Sequence, residues 1–167
     1  MKVLLAIDGS PHSHAALTEF ATRPWPDDTE VQILTVVHAP IPLLFEPTLV
    51  VAAAHMEEIL ELRREAPALL KAASDLIRDA APGRRVTTKI VEGIPKDAIV
   101  QEAAEWGADL IVMGSHGYGR FRRMVLGSVA GAVVAGAPCS VQVVRAKHLL
   151  HETAEADEVA GAIRNPR

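Results

Sequence analysis

The sequence has few aromatic side chains, a single cysteine and no long hydrophobic segment. Only 4% of its 167 residues are aromatic, so a core must be built from valine, leucine, isoleucine and alanine. That composition suits parallel strands packed beneath helices. The lone Cys139 excludes an intrachain disulfide and fits a reducing compartment. No apolar run reaches the roughly 20 residues that a membrane helix needs.

An excess of charge of either sign is also missing. The formal net charge is −4 at pH 7 and the pI is about 6.0, which gives no electrostatic case for binding nucleic acid or an anionic membrane. The apolar start of the chain, residues 2–8, is too short for a signal peptide and lacks a cleavage site. The length and the 49% of hydrophobic residues fit one domain. We therefore expect a cytoplasmic protein with no nucleic-acid or membrane partner.

Short apolar runs alternate along the chain with longer segments of helical periodicity. The predicted strands are residues 3–7, 31–37, 85–91, 109–113 and 140–144. The predicted helices are residues 11–22, 48–80, 95–106 and 127–135. Ser10 is positioned as the N-cap of the first helix with Pro11 at its first position. Because Pro67 interrupts the long second pattern, we expect a kink there or two stacked helices.

This alternation predicts the fold class. Parallel neighbours in a sheet need crossover helices, so the order of elements indicates a parallel sheet with helices on both faces. We expect a single-domain, doubly wound, Rossmann-like α/β fold of five strands in the order 3-2-1-4-5. Ligands of such sheets bind beyond the carboxyl ends of the strands. The expected domain covers residues 1–146, and residues 147–167 form a polar C-terminal extension, either helical or disordered.

A glycine-rich segment follows the fourth strand. Residues 114–128 contain four glycines, three arginines and the pair Gly127-Ser128, which opens a helix. Glycines let backbone N–H groups approach an anion, and a helix N-terminus adds unpaired donors and a favourable dipole. The segment has the character of a phosphate-binding loop. It is not a Walker A loop, because no Gly-Lys-Ser/Thr follows, and it is not the dinucleotide fingerprint of a first strand–helix turn.

The spacing Gly114-x2-Gly117-x9-Gly127-Ser128 resembles the nucleotide-binding signature of the ATP-binding branch of the universal stress protein family. Several other segments are similar to that family: Asp8 at the end of the first strand, residues 93–99, residues 108–117 and residues 137–141. The resemblance runs from residue 1 to about residue 145. The sequence departs from the family pattern in the proline-rich segment 38–47 and in the C-terminal extension.

The resemblance implies a site for ATP, or another adenine nucleotide, with Mg²⁺ or Mn²⁺ carried by the phosphates. Asp8 would take a ribose hydroxyl, and Val36 would pair with adenine through its backbone. Met113 and Gly114 would line the ribose side. Four residues would hold the phosphates: Gly117, Gly127, Ser128 and Val129. No protein side chain is expected to ligate a metal.

Simpler interpretations of single residues stay open at this point. Asp8 could be a turn residue that helps to begin the first helix, although Ser10 competes for that position. The arginines of 114–128 could form a solvated basic face or could screen a triphosphate. A catalytic role for His116 is the minority interpretation, since imidazole is common in turns. No catalytic residue is assigned.

Three functions compete. The first is a nucleotide-dependent signalling or stress-response module that forms a homodimer through its last strand, since that strand would otherwise be an exposed edge. The second is a nucleotide-free protein-interaction module that captures an unidentified protein with the apolar residues 41–45 and the extension. The third is an enzyme that hydrolyses ATP slowly or phosphorylates itself.

Overall fold

A computed structural model describes residues 1–38, 49–117 and 126–146, except for the side chains of residue 38 and residues 49–59. The apolar segment 41–45, the three arginines of the glycine-rich segment and the C-terminal extension lie outside the described residues. The expectations that concern them therefore stay predictions.

Five strands and four helices alternate along the chain, as the sequence predicts. The strands are β1 Lys2–Ala6, β2 Glu30–His38, β3 Arg85–Gly93, β4 Leu110–Gly114 and β5 Ser140–Val144. The helices are α1 Pro11–Thr22, α2 Leu49–Ala80, α3 Pro95–Trp106 and α4 Ser128–Gly136. No predicted boundary is wrong by more than two residues.

The strands form one parallel sheet in the order β3-β2-β1-β4-β5, which confirms the predicted topology. Side chains of β1 alternate between its two faces. Val3 and Leu5 pack with α1 and α2, whereas Leu4 and Ala6 pack with α3 and α4. Both faces of the sheet are therefore covered, and the point where the strand order reverses falls between β1 and β4.

The first helix begins as its sequence predicts. Ser10 is the N-cap of α1, and its Oγ accepts a hydrogen bond from the Ser13 N–H at 3.2 Å. Pro11 takes the first helical position, where the missing N–H costs nothing. Because Ser10 is fully buried, the start of α1 is fixed directly beside the carboxyl end of β1.

The alternative of two stacked helices in the second helical segment is wrong. One helix, α2, runs from Leu49 to Ala80 and continues through Pro67, which is solvent-exposed. The spacing of apolar residues predicts a buried stripe through Ile59, Leu62, Ala66, Leu69, Ala73, Leu76 and Ala80. Ala66 and Ala73 are buried, but Leu62 and Ala80 are exposed and Leu69 and Leu76 are half-buried. The side chain of Ile59 lies outside the described residues. Among the described side chains of α2, the buried apolar ones are Ala66, Leu70, Ala73 and Ile77.

A buried carboxylate joins α3 to the sheet. Glu102 is 5% exposed; it accepts hydrogen bonds from the Gln32 amide at 2.9 Å and from the Lys89 ammonium at 2.5 Å. A buried charge is tolerated when it is paired and hydrogen-bonded, and here β2 and β3 each supply one partner. Among the described residues, no helix is both long and apolar enough to cross a membrane.

Candidate functional site

A cavity of about 420 Å³ opens at the carboxyl ends of β1, β2 and β4. This is where an open parallel sheet of this winding binds its ligands. All eight residues that the sequence singled out line it: Asp8, Val36, Met113, Gly114, Gly117, Gly127, Ser128 and Val129. The structure thus brings together residues that lie up to 121 positions apart (129 − 8) in the sequence.

The N-terminus of α4 forms one end of the cavity. Gly127 is the N-cap and supplies no capping side chain. Its own N–H donates to the Ser115 carbonyl at 2.8 Å, which holds the start of α4 against the end of β4. The first N–H groups of a helix have no acceptor within the helix, so the first turn of α4, residues 128–130, directs these donors and the positive end of the helix dipole at this part of the cavity. Such an end favours an anion.

Asp8 lies opposite, next to Gly117. Its Oδ1 accepts from the Ser10 N–H at 3.0 Å, which holds the carboxylate in place. Its Oδ2 faces Gly117 so closely that a Cβ added to Gly117 would lie 2.5 Å from it. Asp8 therefore does both things that the sequence allowed: it braces the turn before α1, and it presents an exposed carboxylate to the cavity.

The far end of the cavity is apolar. Leu34, Val36, Pro95 and Ile99 line it, together with Ala6. The pairing of β2 with β1 ends at Leu34 opposite Ala6, while β2 continues beside β3 as far as His38. Val36 therefore lies past the end of β1, in a segment of β2 whose inner edge borders the cavity. A ligand group that is flat and apolar, with polar atoms at the edge of its ring, could pack on this wall and hydrogen-bond to the backbone of β2.

Sequence reasoning missed a cluster of polar side chains beside the cavity. The Ser115 Oγ lies 3.2 Å from His12 Nδ1 and 3.1 Å from His116 Nδ1, and the two imidazole rings are 5.2 Å apart. Local spacing in the sequence does not indicate this cluster, because His12 and Ser115 lie 103 positions apart. The predicted strand order could have indicated the cluster. Because β1 and β4 are adjacent in that order, the turns that follow them lie side by side.

The pKa of His12 is lowered from its ordinary value. Burial is the largest cause, followed by the adjacent His116, while the carboxylate of Asp8 raises the pKa and Arg145 lowers it. The neutral form of His12 therefore predominates at pH 7. In the part of the chain that the structure describes, no group of three or more His, Cys, Asp or Glu side chains is arranged to hold a metal ion.

The fold and cavity together define a class: doubly wound α/β proteins with a cavity at the point where the strand order reverses. The chain belongs to the universal stress protein family, since the model of that family matches residues 1–145.

Known relatives agree with this assignment. The universal stress protein in the QAH/OAS sulfhydrylase 3′ region of Thermus aquaticus is 36% identical over 146 residues, covering 86% of this chain and 97% of that protein. Universal stress protein UspA from Lactobacillus plantarum is 28% identical with a TM-score of 0.70, covering 87% and 97% of the two chains. A universal stress protein solved in complex with cAMP is 27% identical with a TM-score of 0.62, covering 86% and 96%.

Proposed function

We propose that this protein is an ATP-binding universal stress protein, a nucleotide-dependent module of signalling or stress response. The observation that carries the proposal is the chemistry of the cavity, which lies at the ends of the adjacent strands β2, β1 and β4. In that order, an apolar wall lies at β2, a fixed carboxylate follows β1, and a helix N-terminus without a capping side chain follows β4. Adenine, ribose and phosphate follow one another in the same order. The relative solved with cAMP supports an adenine nucleotide as the ligand class.

Each part of the nucleotide has matching residues. The apolar wall around Val36 accommodates the adenine ring, and the backbone of β2 past Leu34 offers hydrogen bonds to its edge. Asp8 accepts a ribose hydroxyl, with Met113 and Gly114 beside the sugar. The phosphates lie at the start of α4. Four residues hold them: Gly117, Gly127, Ser128 and Val129.

Close backbone approach is needed at the phosphate end. A Cβ at Gly117 would displace the Asp8 carboxylate, so glycine keeps that carboxylate and the Gly117 backbone near the ligand at once. Mg²⁺ or Mn²⁺ would be bound by the phosphate oxygens, which reduces the repulsion between the phosphates and Asp8. We also propose a cytoplasmic location, because a lone cysteine fits a reducing compartment.

The test is a thermal melt with and without MgATP. A ligand at 100 times its dissociation constant stabilises a fold by about 2.7 kcal/mol, so the wild-type melting temperature should rise. The double variant Gly117→Val with Ser128→Ala should lose that rise, because a branched side chain displaces the Asp8 carboxylate and the Ser128 hydroxyl is removed. Val134→Ala is the matched control: Val134 lies on the same helix, is 49% exposed and should keep the rise.

Failure of the proposal has a clear form. If MgATP does not shift the wild-type melting temperature and the purified protein releases no nucleotide on denaturation, the ATP proposal is wrong. An equal shift in wild type and in the Gly117 and Ser128 double variant would place the nucleotide elsewhere. Release of AMP or cAMP instead of ATP would keep the site and change the ligand.

A further inference from the structure

We propose that the β3 edge of the sheet, together with the groove between β3 and α2, binds an extended acidic segment of another protein as a sixth strand. This surface is separate from the cavity, because none of the residues of β3, all of which the structure describes, lines that cavity. Six of the nine residues of β3 are exposed and none is buried, whereas four of the five residues of β1 are buried. A strand exposed in this way can pair with another chain.

The register of the sheet shows which backbone groups of β3 point outward. The Leu34 carbonyl accepts a hydrogen bond from the Ile7 N–H at 2.9 Å, so Leu34 bonds towards β1. Since successive residues of a strand bond in opposite directions, the odd-numbered residues of β2 bond towards β3. Val31 is the register partner of Val86 and bonds to the residues on either side of it. The even-numbered residues of β3 therefore direct their N–H and C=O groups away from the sheet: Val86, Thr88, Ile90 and Glu92.

These outward groups are open to an added strand. In the part of the chain that the structure describes, they have one hydrogen-bond partner, Arg78 Nη2, which donates to the Val86 carbonyl at 3.4 Å. The usual protection of an edge by proline or by a projecting lysine is missing. The strand contains no proline, and Lys89 is drawn back to the buried Glu102, with Nζ 2.5 Å from the carboxylate. Main-chain pairing of this kind supplies affinity, and the adjoining groove supplies specificity.

The groove beside the edge determines the chemistry of the added strand. It has a volume of about 450 Å³. Thr88 and Ile90 of β3 form its floor, and Ile90 is 42% exposed. The wall consists of five residues of α2: Pro67, Leu70, Lys71, Ser74 and Arg78. Both charged side chains among the lining residues are basic, so an acidic segment complements this groove.

The two basic side chains retain capacity for carboxylates. Lys71 Nζ lies 2.5 Å from the Asp75 carboxylate, one helical turn away, and both side chains are exposed. Such a surface pair contributes little, and an ammonium group has three donors. For Arg78, the described residues supply one acceptor, the uncharged Val86 carbonyl. A guanidinium has five N–H donors and binds a carboxylate through two of them.

The spacing of the two bases specifies a motif. Lys71 and Arg78 are seven residues apart on α2 (78 − 71), which places them about 10 Å apart along the helix. Side chains on one face of a strand recur about every 7 Å. Acidic residues at positions i and i+4 of the added strand, about 13 Å apart, can therefore reach both bases through their flexible side chains. The residue at i+2 lies over Thr88 and Ile90, where a branched apolar side chain fits.

The first test uses a synthetic peptide and the full-length protein labelled with ¹⁵N. The peptide acetyl-Thr-Glu-Thr-Val-Thr-Glu-Thr-amide carries the motif on one face, and it reads identically in both directions, so it fits as a parallel or an antiparallel strand. On binding, hydrogen exchange of the outward amides of Thr88 and Ile90 should slow. The amides of Thr87 and Lys89, which bond to β2, should change little. Unchanged exchange at Thr88 and Ile90 in millimolar peptide would overturn the proposal.

The charge of the segment is tested by a reciprocal exchange. Replacing both glutamates of the peptide by lysine should weaken its binding to wild type about tenfold or more. The double variant Lys71→Glu with Arg78→Glu should reverse this preference, and binding of the lysine peptide shows that the variant is folded. Lys96→Glu makes the same change at an exposed residue of α3, on the other face of the sheet, and should behave as wild type. Equal affinity of wild type for the two peptides would overturn the acidic assignment.

Strand pairing is tested at Thr88. Thr88→Pro removes an outward N–H and leaves the bonds to β2 intact, where proline is tolerated, so the peptide should no longer bind. Thr88→Val keeps the N–H and the branched shape and should bind as wild type, and melting curves would show that both variants are folded. Binding by Thr88→Pro equal to that of wild type would overturn the pairing.

Two other occupants of the edge would give different results in the peptide-free protein. Slow exchange of the Thr88 and Ile90 amides that increases with protein concentration would show that a second copy of this chain covers β3. Slow exchange that does not depend on concentration would show that a segment of the same chain covers it. Either result would overturn the proposal of an acidic segment from another protein.

Discussion

Gly114 is required by packing, a role separate from the ligand contact that its motif suggests. A Cβ at this position would lie 2.6 to 2.8 Å from the backbone C and O of His12 and the N of Ser13. Those atoms belong to the first turn of α1 and cannot rotate away. Gly114→Ala should therefore destabilise the fold by about 3 kcal/mol, at the upper end of typical overpacking costs. Urea unfolding monitored by circular dichroism measures the change.

The control for this prediction is Gly131→Ala. A Cβ on Gly131 would meet no atom of the described residues within 4 Å, and the residue lies inside α4, where alanine is favoured over glycine by roughly 0.5–1 kcal/mol. The same chemical change should thus stabilise one site and destabilise the other. A cost below about 1 kcal/mol at Gly114 would mean that α1 does not pack against β4 this closely.

Single residues of the site were predictable when they carried a motif in the sequence. Asp8, Gly117 and Ser128 stand at strand ends or at a helix start, and strand ends are local patterns. His12 was not predictable, because its partners come from the turn after β4 and from the end of β5. Glu102 is a similar case, since nothing local shows that Gln32 and Lys89 would satisfy a buried carboxylate. Tertiary partners decide what such side chains do.

At the scale of elements, the boundaries were predictable because caps and glycines mark them. Ser10 begins α1, and Gly107, in the left-handed conformation with φ 71°, ends α3. The face that α2 buries was less predictable. Leucines and alanines occur on several sides of this helix, so periodicity alone allows neighbouring stripes. The packing against β2 and β3 selects the stripe through Ala66 and Ile77.

Pro67 allows a test at this scale. Within α2 it has no N–H for the Arg63 carbonyl and its ring crowds that carbonyl, which costs about 3 kcal/mol relative to an ordinary residue. Proline also restricts the unfolded chain, which returns up to about 1 kcal/mol. Since Pro67 is exposed, Pro67→Ala loses little packing and should stabilise the fold by about 2 kcal/mol.

Denaturant unfolding of Pro67→Ala and of Glu61→Ala measures this effect. Glu61 is exposed on the same helix, and its replacement should change the free energy of unfolding by less than about 0.5 kcal/mol. A destabilised Pro67→Ala variant would show that α2 needs the geometry imposed by proline to pack on the sheet.

At the scale of the whole molecule, the strand order leaves β3 and β5 as the two edges of the sheet. The strand order followed from a simple rule, since alternating strands and helices allow few right-handed windings. The alternation of strands and helices does not determine whether another chain covers the β3 edge or the β5 edge. The division of the chain at residue 146 is likewise still a prediction, although every strand and helix of the described residues ends by Val144.

The homodimer predicted from the sequence would form through β5, and the direction of the backbone groups of that strand makes the prediction testable. The Val144 carbonyl accepts from the Ser115 N–H at 2.8 Å, so Val144 is hydrogen-bonded towards β4. Successive residues of a strand bond in opposite directions, and the N–H of Val143 therefore points out of the sheet. Val143→Pro removes an outward donor and leaves the bonds to β4 intact, a place where proline is tolerated.

Sedimentation velocity should show a wild-type dimer and a Val143→Pro monomer. Val143→Thr keeps both the outward N–H and the branched shape, so it should remain dimeric, and melting curves would show that all three proteins are folded. A monomeric wild type would show that the predicted homodimer is wrong. A dimeric Val143→Pro would show that the interface does not lie at the β5 edge. The half-buried side chains of β5, Val141, Val143 and Val144, would then be covered only by helices of their own chain.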